Sequence, residues 1–216
     1  MDSDWKAFTS LSHMKNHWDR PPWWPGRQAY YWYLTFSANS DLRSLGEHCQ
    51  SAIGAPYLDL VPLDDLHMTI CRVGFDDELG PDELNAVVAA ASHECQRISP
   101  FEMLIGPLAG SAGAISFSAA PLEPILKLRE ALRSATAVGR DRNAIAKERF
   151  RPHVGIAYCN SVVPMSDIVR KIQPLRDLPR VQAHIGSASL VLLTRGEQSY
   201  HWSTVTDVSF GPSSNL

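Results

Sequence analysis

The order of elements in this chain predicts an α+β protein built of two similar lobes. Three observations carry that prediction. Helix-type and strand-type hydrophobic patterns alternate along residues 29–210. Two short strands, Leu66-His67-Met68-Thr69-Ile70 and Pro152-His153-Val154-Gly155-Ile156, share one alternation, with a histidine on one face and apolar side chains on the other. After each histidine the same order follows: helix, strand, strand. An internal duplication of this kind, with an approximate two-fold between its halves, would set His67 and His153 across a shared cleft.

At 216 residues the chain is long for one simple core and short for two independent domains. The expected organisation is a Trp/Pro-rich leader over 1–28, a two-lobed domain over 29–210 and a tail over 211–216. No apolar run approaches the roughly 18 residues that span a bilayer. The acidic start Met1-Asp2-Ser3-Asp4 lacks the apolar stretch of a secretory signal. Cys49, Cys71, Cys95 and Cys159 are unevenly spaced and form no C-x-x-C, which reads as reduced thiols of a cytoplasmic protein. A net charge of −3 argues against a long nucleic-acid duplex as partner. A small phosphate-bearing ligand in a local pocket remains compatible.

In the leader, dense prolines (Pro21, Pro22, Pro25) predict irregular chain whose tryptophans plug an open end of the core; the competing reading is an aromatic flap that stacks on a base. His13 and His17, four apart, would face one way on a helix, but with no acidic third ligand they are a weak metal motif. Tyr30–Ser37 predicts an aromatic strand, with Trp32, Leu34 and Phe36 on one face and Tyr31, Tyr33 and Thr35 on the other. Asp41–Ile53 predicts a helix capped by Ser40. The first His strand spans about 66–73. Pro81–Ile98 is the clearest helix, opened by Pro81, Asp82 and Glu83. Strands follow at 101–105 and 114–118 around a Gly106-Pro107…Gly113 turn region, then a helix over 122–138 and a charged loop over 139–143. The second His strand is expected at 149–158, a helix at 165–175, and strands at 181–185, 187–194 and 201–210.

Histidine titrates near neutral pH, so a facing pair can hold one neutral and one protonated ring, a general base and a general acid together. That arrangement cleaves a phosphodiester without a metal. A hydroxyl two residues on, as in His67-x-Thr69, lies on the same face and can bond phosphate oxygens as charge develops. One His-x-Thr alone is common by chance; the second, similarly placed strand raises the pair above that.

The stretch from Leu66 to Gly74 (LHMTICRVG) resembles the first signature of the two-histidine phosphoesterases, the superfamily of the 2′-5′ RNA ligases and cyclic phosphodiesterases, and Phe150 to Ala157 (FRPHVGIA) resembles the second. The resemblance spans about residues 29–210, and the Trp/Pro leader is similar to that of a bacterial 2′-5′ RNA ligase-like branch. It implies an α+β, bilobal duplicated fold with two antiparallel sheets flanked by helices around a central cleft. It further implies a metal-independent, cofactor-free phosphodiesterase acting on a 2′,3′-cyclic phosphate or a 2′-5′ linkage, reversible as a ligase. RNA ends or small nucleotides would be its partners, and the chain a monomer without membrane contact. By carry-over His67 and His153 are the acid–base pair and Thr69 a phosphate ligand. One departure stands out: Gly155 occupies the place of the second hydroxyl, so its backbone N–H, a water or a neighbouring side chain must replace it, or activity is slower or respecialised.

Secondary candidates are Tyr31 and Tyr33, as cleft residues able to stack on a base, and Arg195, as a phosphate ligand against the alternative of a solvated strand end. Arg151 is a further neighbour. Tyr158, an odd number of residues from His153, is expected to face the core unless a bulge intervenes. His48, His93, His184 and His201 have no partner pattern. Two other readings compete: a non-catalytic RNA-end or nucleotide-binding protein, motivated by Gly155, and a metal hydrolase using both histidines, which the lack of an acidic partner near either motif opposes.

Overall fold

The computed structural model describes residues 2–19, 23–138 and 150–212; the expected loop at 139–143, Arg149 and most of the tail lie outside them. Among the described residues, helices α1 (Asp2–Thr9), α2 (Ser40–Ile53), α3 (Pro81–Cys95), α4 (Leu122–Thr136) and α5 (Met165–Ile172) accompany eleven strands. These are β1 (His13–Met14), β2 (Gln28–Thr35), β3 (Leu58–Leu60), β4 (His67–Phe75), β5 (Phe101–Gly110), β6 (Ala114–Ala120), β7 (His153–Cys159), β8 (Val163–Pro164), β9 (Val181–Ile185), β10 (Ser187–Arg195) and β11 (Tyr200–Ser209). The α+β class and its duplicated, two-lobed plan are as the sequence predicts.

Each lobe is an antiparallel sheet. One has the order β11-β10-β2-β4 and the other β3-β7-β6-β5-β9, with β1-β8 as a small separate pair. The duplication is interlocked. His67 belongs to the four-stranded sheet, yet the hairpin that follows it in sequence, β5–β6, joins the sheet of His153. The hairpin after His153, β10–β11, returns to the sheet of His67. Helices α3 and α4 pack on the first sheet and α2 on the second, with α5 against α2. Strands β4 and β7 meet where the lobes join. Apolar alternation makes this joint: Met68, Ile70, Val154 and Ile156 point away from the histidines and are buried in one continuous core.

Several boundaries differ from expectation, each for a local reason. The leader is not wholly irregular: Asp2–Thr9 is helical, upstream of the prolines, and buries Phe8. His13 lies on a strand, so His13 and His17 do not share a helix face. Asn39, not Ser40, caps α2, its side chain accepting from the Leu42 N–H at 2.9 Å. The expected turn at Gly106-Pro107 is a bulge inside β5, where the pairing with β6 slips between Ile105 and Leu108; proline is tolerated there because no ladder hydrogen bond is required of it. Gly106 sits at φ +118°, a conformation side chains rarely adopt. The helix begun at Met165 tightens into a 3-10 turn over Gln173–Asp177 at Pro174. The four cysteines are buried and free. Among the described residues no helix is long and apolar enough to cross a membrane.

Candidate active site

Both histidines are held in the same way. His67 Nδ1 lies 2.7 Å from the carbonyl oxygen of Asp65, and His153 Nδ1 lies 2.7 Å from that of Arg151. A carbonyl only accepts, so in each ring Nδ1 carries the proton and donates it, which leaves Nε2 as the free nitrogen. Each bond reaches two residues back along the chain to the turn that opens the strand. The local sequence therefore sets the tautomer as well as the ring orientation.

Their surroundings differ. The Tyr33 ring stacks on His67 at 4.0 Å and 8° between planes, and Trp202 meets the same imidazole edge-on at 6.3 Å. Tyr33 pairs across the strands with Thr69, and its hydroxyl bonds the Thr69 side chain. Burial pulls His67 down to about 4, with the nearby His153 pushing the same way. His153 is also held below its usual value by burial, but a carboxylate opposes the effect: Asp4, from α1, favours the charged ring, whereas Arg151 disfavours it. Asp4 is fixed by Ser118, whose Oγ donates to Asp4 Oδ2 at 2.7 Å, and Ser118 sits directly opposite His153 on β6.

Gly155 lies on the face of His153 with open space beside it. A Cβ built there would meet nothing nearer than the Tyr158 hydroxyl at 4.0 Å. Tyr158 reaches that face because β7 bulges: Gly155 pairs with Ser116 but Ala157 pairs with Ile115, so Ile156 is the extra residue. The expectation that Tyr158 faces the core is thereby corrected through its own proviso. Ile156 and Ala157, adjacent apolar residues, both turn inward and break the period of two.

The structure brings Tyr33 against His67, where it is only 2% exposed with one face of its ring occupied by the imidazole. Arg195 is not the solvated strand end expected as the alternative. It is 6% exposed, and its guanidinium donates to the Trp18 carbonyl. The register puts Arg195 near Gln28, at the end of β2 away from His67, so it is not brought to the two histidines; the leader reaches the site instead through Tyr158, whose ring His17 and Trp18 both contact. Trp18 donates its indole N–H to Asp59 at 2.8 Å, and the His17 backbone N–H bonds the Cys159 carbonyl, both on the second lobe. On the first lobe, His17 Nε2 meets the Tyr200 hydroxyl at 3.0 Å. Trp23 stacks on Tyr31 at 5.7 Å and 12°. Trp18 is buried and Trp24 is 55% exposed, so the plug describes Trp18 and Trp23 better than a free flap does. Sequence reading missed Asp4, Ser118, Tyr200 and Trp202, which come from distant segments. Among the described residues no three His, Cys, Asp or Glu side chains converge as metal ligands would.

The family model described as the 2′-5′ RNA ligase superfamily matches residues 40–197, a span that holds both His strands. The chain belongs to this superfamily. Its fold is similar to that of apo LigT from E. coli, at 13% identity and a TM-score of 0.63 over 86% of this chain and 99% of that one. It is similar likewise to TT0787 of Thermus thermophilus, at 19% identity and a TM-score of 0.63 over 85% and 97%. LigT has also been solved in complex with 3′-AMP, with phosphate, with ATP and with NADP+. No curated protein matches the chain.

Proposed function

We propose that this member of the superfamily is a metal-independent phosphodiesterase acting on RNA-type phosphodiesters, a 2′,3′-cyclic phosphate or a 2′-5′ linkage at an RNA end or on a small nucleotide. The observation that carries the reading is the matched locking of His67 and His153, each through Nδ1 to the carbonyl two residues back. That leaves two Nε2 atoms, one to take a proton and one to give it. The lower proton affinity of His67 makes it the base, and Asp4 beside His153 favours that ring as the acid. With a 2′,3′-cyclic phosphate, His67 Nε2 takes a proton from water as the water oxygen bonds to phosphorus. The bond from phosphorus to one ribose oxygen breaks, and that oxygen takes the Nε2 proton of His153. The product is a phosphomonoester. His67 is left protonated and His153 neutral, and exchange with solvent resets them. A 5′-hydroxyl in place of water gives ligation through the same step. The Thr69 hydroxyl donates to a non-bridging oxygen.

The nucleotide complexes known for LigT support the ligand class. Gly155 favours a second reading, a nucleotide-binding protein without turnover. One assay separates them: incubation with a nucleoside 2′,3′-cyclic phosphate and with a 2′-5′-linked oligoadenylate, each with and without EDTA. Cleavage that survives EDTA and is lost in His67→Ala and His153→Ala supports the enzyme. Binding without turnover supports the second reading, and loss in EDTA overturns the metal-independent mechanism.

A further inference from the structure

A hydroxyl is missing from position 155, and the bulge in β7 brings another to the same place. The Tyr158 hydroxyl lies 4.0 Å from where a Cβ on Gly155 would sit, with nothing nearer. A threonine's Oγ extends one bond beyond that Cβ, into the space beside the Tyr158 oxygen. The phenol is held on several sides: His17 lies against its ring at 4.2 Å, with Trp18 and Tyr200 each edge-on at 5.4 Å. It also faces the first lobe. Its contact there is Tyr200 of β11, so the Tyr158 phenol stands between the second lobe that carries it and the first.

We propose that Tyr158 supplies the phosphate-binding hydroxyl that Gly155 lacks, donating its O–H to a non-bridging oxygen of a phosphodiester held between His67 and His153. The inference rests on the phosphodiesterase reading and deepens it. A hydrogen bond from the Tyr158 hydroxyl, which borders the space beside position 155, replaces the one a motif Ser or Thr would make. Ser116, buried and directly opposite Gly155 on β6, is the competing source of a hydroxyl.

The test compares Tyr158→Phe, Gly155→Thr, the double variant and Ser116→Ala. It reads kcat on a nucleoside 2′,3′-cyclic phosphate, Kd for adenosine 3′-monophosphate, and the thermal midpoint. Tyr158→Phe keeps the ring and its packing, so the midpoint stays while kcat falls by about 10²-fold, the scale of one lost donor to developing charge. Gly155→Thr in that background recovers most of the loss, which a purely structural role for Tyr158 would not allow. Unchanged kcat in Tyr158→Phe overturns the proposal. So does a double variant as slow as Tyr158→Phe, or a loss in Ser116→Ala that Gly155→Thr rescues instead. If turnover proves independent of the two histidines, the phosphodiesterase reading fails by itself. Tyr158 is then judged on Kd alone: weakening that Gly155→Thr reverses upholds it, and an unmoved Kd or no binding removes it.

Discussion

The two His strands share a backbone device and differ in almost everything else. In β4 the imidazole is stacked on Tyr33 and met edge-on by Trp202, two residues of its own sheet, and the motif hydroxyl of Thr69 is present. In β7 the imidazole takes its polar surroundings from elsewhere in the chain: Asp4 from the N-terminal helix, Ser118 from the neighbouring strand, Tyr158 from beyond a bulge. One half of the site is self-contained and apolar, the other assembled and polar. On the proposed mechanism this is how a duplicated motif yields a base and an acid, since the same residue titrates differently according to burial and neighbouring charge.

The comparison is sharpest if each histidine is removed in turn. His67→Ala and His153→Ala should each lower kcat by about 10²- to 10⁴-fold, and the double variant little further, because the two act as one unit. Single-turnover kinetics on a cyclic phosphate check this, and full activity in either variant breaks the symmetry of roles. Thr69→Val should cost about 10²- to 10³-fold in kcat, whereas Gly155→Ala should cost nothing, measured in the same assay.

The unequal proton affinities make a third test. The pH profile of kcat/KM should be a bell with its acid limb near 4, set by His67, and its alkaline limb below 6.5, set by His153. Asp4→Asn removes the charge that favours protonated His153, so the alkaline limb should move to lower pH while the acid limb stays. The same inequality bears on stability. The unfolded chain binds a proton that buried His67 refuses. Urea midpoints should therefore fall as the pH drops from about 6.5 towards 4, and His67→Phe should flatten that fall. The smallest effect is expected at Gly155. A β-branched residue suits an open strand position better than glycine, so Gly155→Thr should raise unfolding free energy by roughly 0.5–1 kcal/mol in urea denaturation.

The two strands also show what a sequence makes legible. His67, Thr69 and His153 stand out because a polar residue interrupts a period-two apolar pattern, and that pattern is local. Membership of a sheet is not local: nothing between Phe101 and Ala120 says that the hairpin after His67 will pair beside His153. Tyr158 was hidden by a parity argument that fails at one extra residue, and the bulge at Ile156 depends on pairing with β6. Asp4 reaches His153 only because α1 packs beside β5, next to β6 in its sheet. Asn39 and Ser40 are both capping residue types, and only the dihedrals at the helix start decide between them.

The leader's grip has a mechanical meaning. Within two consecutive residues, His17 and Trp18 bond Cys159 and Asp59 on one lobe and Tyr200 and Arg195 on the other. The jaws of the cleft are riveted together at that end. For the phosphodiesterase proposed above, these four bonds oppose a change of gape at that end when a ligand enters. On that proposal both histidines stand in register before the substrate arrives, without the closing stroke on which lidded enzymes depend.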